Sequence, residues 1–157
     1  AKEWKLFLPN INEKFDWKKL VAAHAEPLPE IISLDFSRVG HVNSVGIRNF
    51  FLRESVQEFK GRKLHLWDVG TEMINQFGMC PALANGLCLR SFRIEYYCES
   101  GHSSDVLYDC DSLASINATM NLTNEWRCPE CGKRGEPEST FDQELFYLLI
   151  WKLKNQT

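Results

Sequence analysis

Three features of the sequence predict an α/β chain with a mixed or mainly parallel sheet, a small C-terminal metal-bound extension and a closing helix. Short apolar runs in the first half alternate with stretches of helical period, the pattern of strand–helix–strand units that pair in parallel. Cys128-Pro129-Glu130-Cys131-Gly132 sets two thiols three positions apart with glycine behind the second, which is half of a tetrahedral metal site. The stretch from about Phe141 to Lys154 is apolar nearly all round, as in a helix that packs on something. The expected division is an α/β unit over residues 1–90 and a metal-bound extension over residues 91–157.

The elements follow in order. Trp4–Leu8 reads as a strand, and a helix near Phe15–His24 would turn Phe15, Leu20 and Ala23 inward. Pro27 and Pro29 break it. Glu30–Phe36 is a near-continuous apolar run, expected of a strand covered on both faces. After a loop over Ser37–Asn43, a helix is expected from Ser44 to Lys60 with Val45, Leu52, Val56 and Phe59 on its inner side, widened by Ile47 and Phe51; Gly61 ends it. Lys63–Asp68 is a third strand, and Thr71–Cys80 a short helix capped by Thr71. Phe92–Tyr97 and Asp105–Asp109 are strand-like. Asp111–Leu122 has weak helical character, and Thr140 with Gln143 offers a capping box for the closing helix. Cys80 and Cys88 read as small buried apolar residues.

At 157 residues and 44% hydrophobic composition, the chain can bury a substantial core. It contains no apolar run of membrane-spanning length, and its first residues offer no signal-peptide core, so a cytoplasmic protein is expected. Six cysteines in a reducing compartment favour metal binding over disulfides. Charge is uneven: residues 1–90 hold 12 Lys and Arg against 10 Asp and Glu, residues 91–157 hold 6 against 11. An acidic extension is poorly suited to neutralising phosphates, so the alternative of a nucleic-acid-binding zinc ribbon is disfavoured against protein–protein contact.

Cys98, at the end of the strand-like run, anchors the second half of the metal site. Position 101, where another cysteine would complete the knuckle, holds Gly101, followed by His102. The ligand set is read as Cys98, His102, Cys128 and Cys131. Cys110 is the alternative fourth ligand if the chain doubles back, and a third reading is that the site, one cysteine short, has lost its metal. Four protein ligands close a zinc ion's coordination shell, which makes the site structural, not catalytic. A nucleophile elbow is excluded because Val42 precedes Asn43-Ser44-Val45-Gly46 where glycine is required.

Ile32–Val39, Val42–Arg48 and Gln76–Met79 resemble the STAS domain, which joins sulphate transporters and anti-sigma-factor antagonists, over roughly residues 1–90. The resemblance implies a module of bacterial signalling or transcription control that binds a protein partner, kinase or anti-sigma-like, through the loop and the start of the following helix. Many members are switched by phosphorylation of a Ser or Thr immediately before the glycine. That position here is Val45, which has no hydroxyl, and Ser44 one place earlier is read as the helix N-cap. Tyr96–Ser100, Cys128–Gly132 and Phe141-Asp142 resemble the zinc-ribbon extensions of some bacterial STAS-like proteins, which implies structural Zn²⁺. The expectation is a non-enzymatic adaptor whose partner contacts are Arg38, His41, Asn43, Ser44 and Arg48. A second copy of the chain is one candidate to cover the closing helix.

Overall fold

The computed structural model describes residues 4–24, 27–55, 57–80, 85–111 and 126–138. Four strands, β1 (Trp4–Phe7), β2 (Ile31–Asp35), β3 (Lys63–Trp67) and β4 (Leu87–Leu89), form a wholly parallel sheet in the order β1-β2-β3-β4. Helices α1 (Trp17–Ala22), α2 (Ser44–Phe51) and α3 (Thr71–Met79) make the crossovers. Where strand order equals chain order, crossovers of one hand place every helix on the same face. That face carries Leu6, Ile32, Leu34, Leu64, Leu66, Leu87 and Leu89, buried with Phe15, Trp17, Phe50 and Phe77 from the helical layer.

The predicted strands fall within a residue or two of their observed bounds, and β4 and a further strand at Gly135–Pro137 are additions. β2 is buried on both faces as expected, from Ile32 through Asp35. On the side away from the helices, Trp67 Nε1 donates to Ser33 Oγ at 3.2 Å and Lys5 pairs with Asp35 at 2.8 Å. Burial raises the Asp35 carboxyl, but Lys5 and Ser37 outweigh it and hold the group below its ordinary value.

The helices depart further from expectation. α1 starts later, at Trp17, because Asp16 accepts from Lys18 N at 2.9 Å and caps it; Ala23 is exposed. α2 ends at Phe51 and continues as two short 3₁₀ turns, Leu52–Ser55 and Gln57–Phe59, before Gly61 at φ 72°. Its inner face is also rotated. Val45 and Leu52 are exposed, at 44% and 54%, while Gly46 and Phe50 are buried. A Cβ on Gly46 would sit 2.0 Å from Ile11 O, so the glycine alone permits the helix to touch the backbone there, and that contact fixes which side faces the core. Phe50 then packs among Trp17, Phe36, Phe51 and Phe77. Val56 lies outside the described residues. α3 is capped by the backbone at Gly70; Thr71, expected as its cap, instead donates its hydroxyl to Arg93 O at 3.2 Å.

A second sheet is antiparallel, in the order β6-β5-β7, with β5 (Ser91–Cys98), β6 (Ser103–Asp109) and β7 (Gly135–Pro137). The two sheets share one core. Phe92, Ile94, Tyr96 and Cys110 belong to the same buried cluster as the parallel layer, so apolar packing runs straight across residue 90. A parallel bridge between Val69 and Phe92 and an Arg93–Asp68 ion pair at 2.6 Å tie the layers together. Of the two expected small buried thiols, Cys88 is buried and Cys80 is exposed. The expected closing helix, with Thr140 and Gln143, and nearly all of the Asp111–Leu122 stretch lie outside the described residues.

Replacing Gly46 by alanine should destabilise the fold by about 1–3 kcal/mol despite alanine's better helix propensity, because the added methyl overlaps main chain. Urea unfolding checks this, and a stabilised variant would mean that the helix turns freely about its axis.

Candidate metal centre

The antiparallel sheet builds the site at one end of β5. Along that strand side chains alternate, and Phe92, Ile94, Tyr96 and Cys98 are buried whereas Arg93, Glu95 and Tyr97 face outward. Cys98 therefore arrives pointing to the packed side. The chain then reverses in a tight turn: Gly101 N donates to Cys98 O at 2.9 Å and Cys98 N to His102 O at 3.0 Å, with Gly101 at φ 81°. The second turn is built alike but one residue longer. Gly132 N donates to Cys128 O and Cys128 N to Lys133 O, both at 2.8 Å, with Gly132 at φ 70°.

This difference explains why a glycine stands where a cysteine was looked for. The left-handed residue falls at the third place after Cys98 and at the fourth after Cys128. In the shorter turn, position 101 is claimed by the backbone, and the side chain that joins the cluster is the next one, His102.

Cys98, His102, Cys128 and Cys131 present ligand atoms that all lie within 4.8 Å of one another, a grouping that can hold a metal ion. Cys98 Sγ lies 3.7 Å from Cys131 Sγ, and Cys128 Sγ lies 3.6 Å from His102 Nδ1. The other imidazole nitrogen, Nε2, faces Glu130 at 3.5 Å, in the manner of a carboxylate that orients a ligating histidine. Cys98 and Cys128 are buried, His102 is half-buried and Cys131 is exposed. Burial pushes the Cys128 thiol up, whereas the Lys133 backbone beside Cys131 draws that thiol down. Cys110, the alternative ligand, is fully buried in the hydrophobic core at the far end of β6, roughly 23 Å of strand from Ser103.

Aromatic packing supports the cluster from below. Trp126 stacks on Tyr96 with ring centroids 5.2 Å apart, and Tyr96 and Tyr108 share a 2.7 Å hydrogen bond between their hydroxyls. Gly135 is the counterpart of Gly46: a Cβ there would lie 2.1 Å from the Trp126 ring. Neither aromatic contact was legible as such, since nothing in the spacing pairs residue 126 with residue 96.

Of the predicted partner residues, Arg38, His41 and Asn43 lie on the loop after β2, and Ser44 and Arg48 on α2. Arg38, His41, Ser44 and Arg48 are exposed, and Asn43 is half-buried. Arg38 lies 4.0 Å over the Phe7 ring, and the loop is anchored by Asn10 Oδ1, which accepts from Gly40 N at 2.8 Å and His41 N at 3.0 Å. The helix cap is Asn43, one place before the expected Ser44: its Oδ1 accepts from Gly46 N at 2.9 Å and its amide donates to Glu13 at 2.9 Å. With its own cap bond supplied by the preceding residue, Ser44 keeps its hydroxyl at the surface. Glu13, the partner of Asn43, is held below its usual value by its own backbone amide and by Asn43.

Asn43→Ala should cost about 1 kcal/mol in a thermal or urea melt, and Ser44→Ala close to nothing; equal losses would return the cap to Ser44. Compared with known protein families, with curated proteins and with solved structures, the chain matches none.

Proposed function

We propose that this chain is a non-enzymatic adaptor of a signalling or transcription-control pathway, STAS-like in its parallel layer, in which structural Zn²⁺ fastens a zinc-ribbon-like extension. One observation carries the metal half of this reading. A tetrahedral zinc site with bonds of about 2.3 Å to sulfur and about 2.0–2.1 Å to nitrogen has edges of about 3.8 Å between sulfurs and about 3.6 Å between sulfur and nitrogen. The separations of 3.7 Å and 3.6 Å match those edges. Three thiolates and an imidazole suit zinc and leave it no open position, so the ion would brace the fold and activate no water.

The partner half rests on the loop surface. Arg38, His41 and Arg48 are exposed on the loop after β2 and the start of α2, with Glu13 bound to Asn43 beside them, on a backbone that Asn10 and Ile11 hold in place. An exposed loop of this composition favours a protein partner with acidic groups. The intracellular setting of the reading follows from zinc-bound thiols, which a reducing compartment preserves.

Elemental analysis of the purified protein should find about one zinc per chain, and Cys128→Ser should lose it while the parallel layer keeps its far-ultraviolet signal. Full zinc occupancy in that variant would sink the assignment. Ser44→Asp adds charge at a helix N-terminus that tolerates it, so the fold should persist. The same substitution should weaken affinity for a captured partner at least tenfold by calorimetric titration; unchanged affinity would move the binding surface elsewhere.

A further inference from the structure

We infer that Cys131 and Cys98 form a thiol-oxidation site for hydroperoxides, in which a disulfide replaces the metal as the clamp between the two turns. The inference rests on the zinc reading for its consequence, metal release, but the thiol pairing stands on geometry alone. Of the three sulfurs in the cluster, only Cys131 is exposed; Cys98 and Cys128 are buried. An oxidant arriving from solvent therefore meets Cys131 first. Its resolving partner is 3.7 Å away on the other turn, and Sγ atoms need move together by only about 1.7 Å to reach a bonded distance of about 2.0 Å. Cys128 Sγ lies 3.6 Å from His102 Nδ1 and also neighbours Cys131 within its own turn, so it is the competing resolving thiol.

The chemistry balances with the peroxide as sole oxidant. The Cys131 thiolate attacks the peroxide, forming an S–O bond and breaking the O–O bond, and the leaving oxygen departs as water or an alcohol after protonation. The Cys98 thiolate then attacks the Cys131 sulfur, forming the S–S bond and expelling the hydroxyl as water. Two sulfurs each give up one electron, and the peroxide takes both. A bound ion would be left with Cys128 and His102 and would leave as the hydrated cation.

Which pair forms decides what oxidation does. A bond between Cys128 and Cys131 would lie within one turn and hold nothing else in place. A bond between Cys98 and Cys131 joins positions 33 residues apart, one at the end of β5 and one in the Cys128–Cys131 turn, so the antiparallel sheet stays closed after the metal has gone. Oxidation then reads out as metal release without unfolding. Cys80, the other exposed thiol, stands apart at the end of α3 and would only confuse the measurement.

The test uses the full chain carrying Cys80→Ala, loaded with zinc and treated with hydrogen peroxide. Expected are release of one zinc per chain to a chromogenic chelator, a mass loss of two hydrogens, and an unchanged far-ultraviolet spectrum. Trypsin leaves Cys128 and Cys131 in one peptide, Cys128–Lys133, and Cys98 in another, Ile94–Arg127, so the expected bond links two peptides, with fragmentation placing it at Cys98 and not at Cys110. In Cys98→Ser the link between the two tryptic peptides should be lost, and any disulfide should be confined to Cys128–Lys133. With Cys98 present, a disulfide confined to Cys128–Lys133, a crosslink to Cys110, or oxidation without any disulfide would overturn the proposal. Should the purified chain bind no zinc, the zinc reading fails separately, and the same peptide mapping on the metal-free chain still decides the pairing.

Discussion

Strand β5 is the constraint on which the rest of the molecule depends, because one strand with a period of two serves both layers. Its even-numbered positions are Phe92, Ile94, Tyr96 and Cys98, and the first three belong to the single buried cluster that contains the parallel sheet's leucines. The phase that buries Phe92 against the rest of the core is the phase that turns Cys98 inward six residues later. Slipping the strand by one residue would expose three large side chains and aim the thiol at solvent. The position of Cys98 is thus a consequence of hydrophobic registry, and the Val69–Phe92 bridge with the Arg93–Asp68 pair holds that registry at the strand's other end.

Two backbone contacts impose a similar discipline on the remaining elements. At Gly46 and at Gly135 a methyl group would overlap main chain or the Trp126 ring, so the first fixes the roll of α2 and the second the seating of β7 under the aromatic stack. Both sites trade helix or strand propensity for close approach, which is favourable only where the neighbour is rigid. The neighbours here are rigid: Ile11 is held by its bridge to Val42, and Trp126 by its stack on Tyr96.

These same contacts mark where the sequence was legible and where it was not. Strands carry their own signal, an apolar run of fixed length between breakers, and β1, β2, β3, β5 and β6 were all found from it. The knuckle Cys128–Gly132 was legible because its spacing alone aims two sulfurs together, and His102 because it lay within reach of Cys98. The rotation of α2 was not legible, since Val45 and Leu52 make as good an apolar stripe as the true face, and only the tertiary contact at Gly46 decides between them. The cap at Asn43 was missed for a related reason: Asn and Ser adjoin, both cap well, and the choice depends on Glu13 waiting thirty residues upstream for the amide.

The offset between the two turns has a consequence for what an ion does here. In both turns a glycine in the left-handed region closes a hydrogen-bonded loop, so each would keep its shape without metal. What the turns cannot supply is a reason to stay together. Described links between the Cys128–Cys131 region and β5 are few, namely the short β7 pairing, the Trp126–Tyr96 stack and the contacts among the ligand atoms themselves. An ion bound by one residue from β5, one from the start of β6's turn and two from the second turn would add its binding free energy to the docking of the turns, not to their internal folding. Loss of the metal should accordingly loosen the joint before it melts either turn, and a covalent bond across the same gap would substitute for it, whereas one inside a single turn would not.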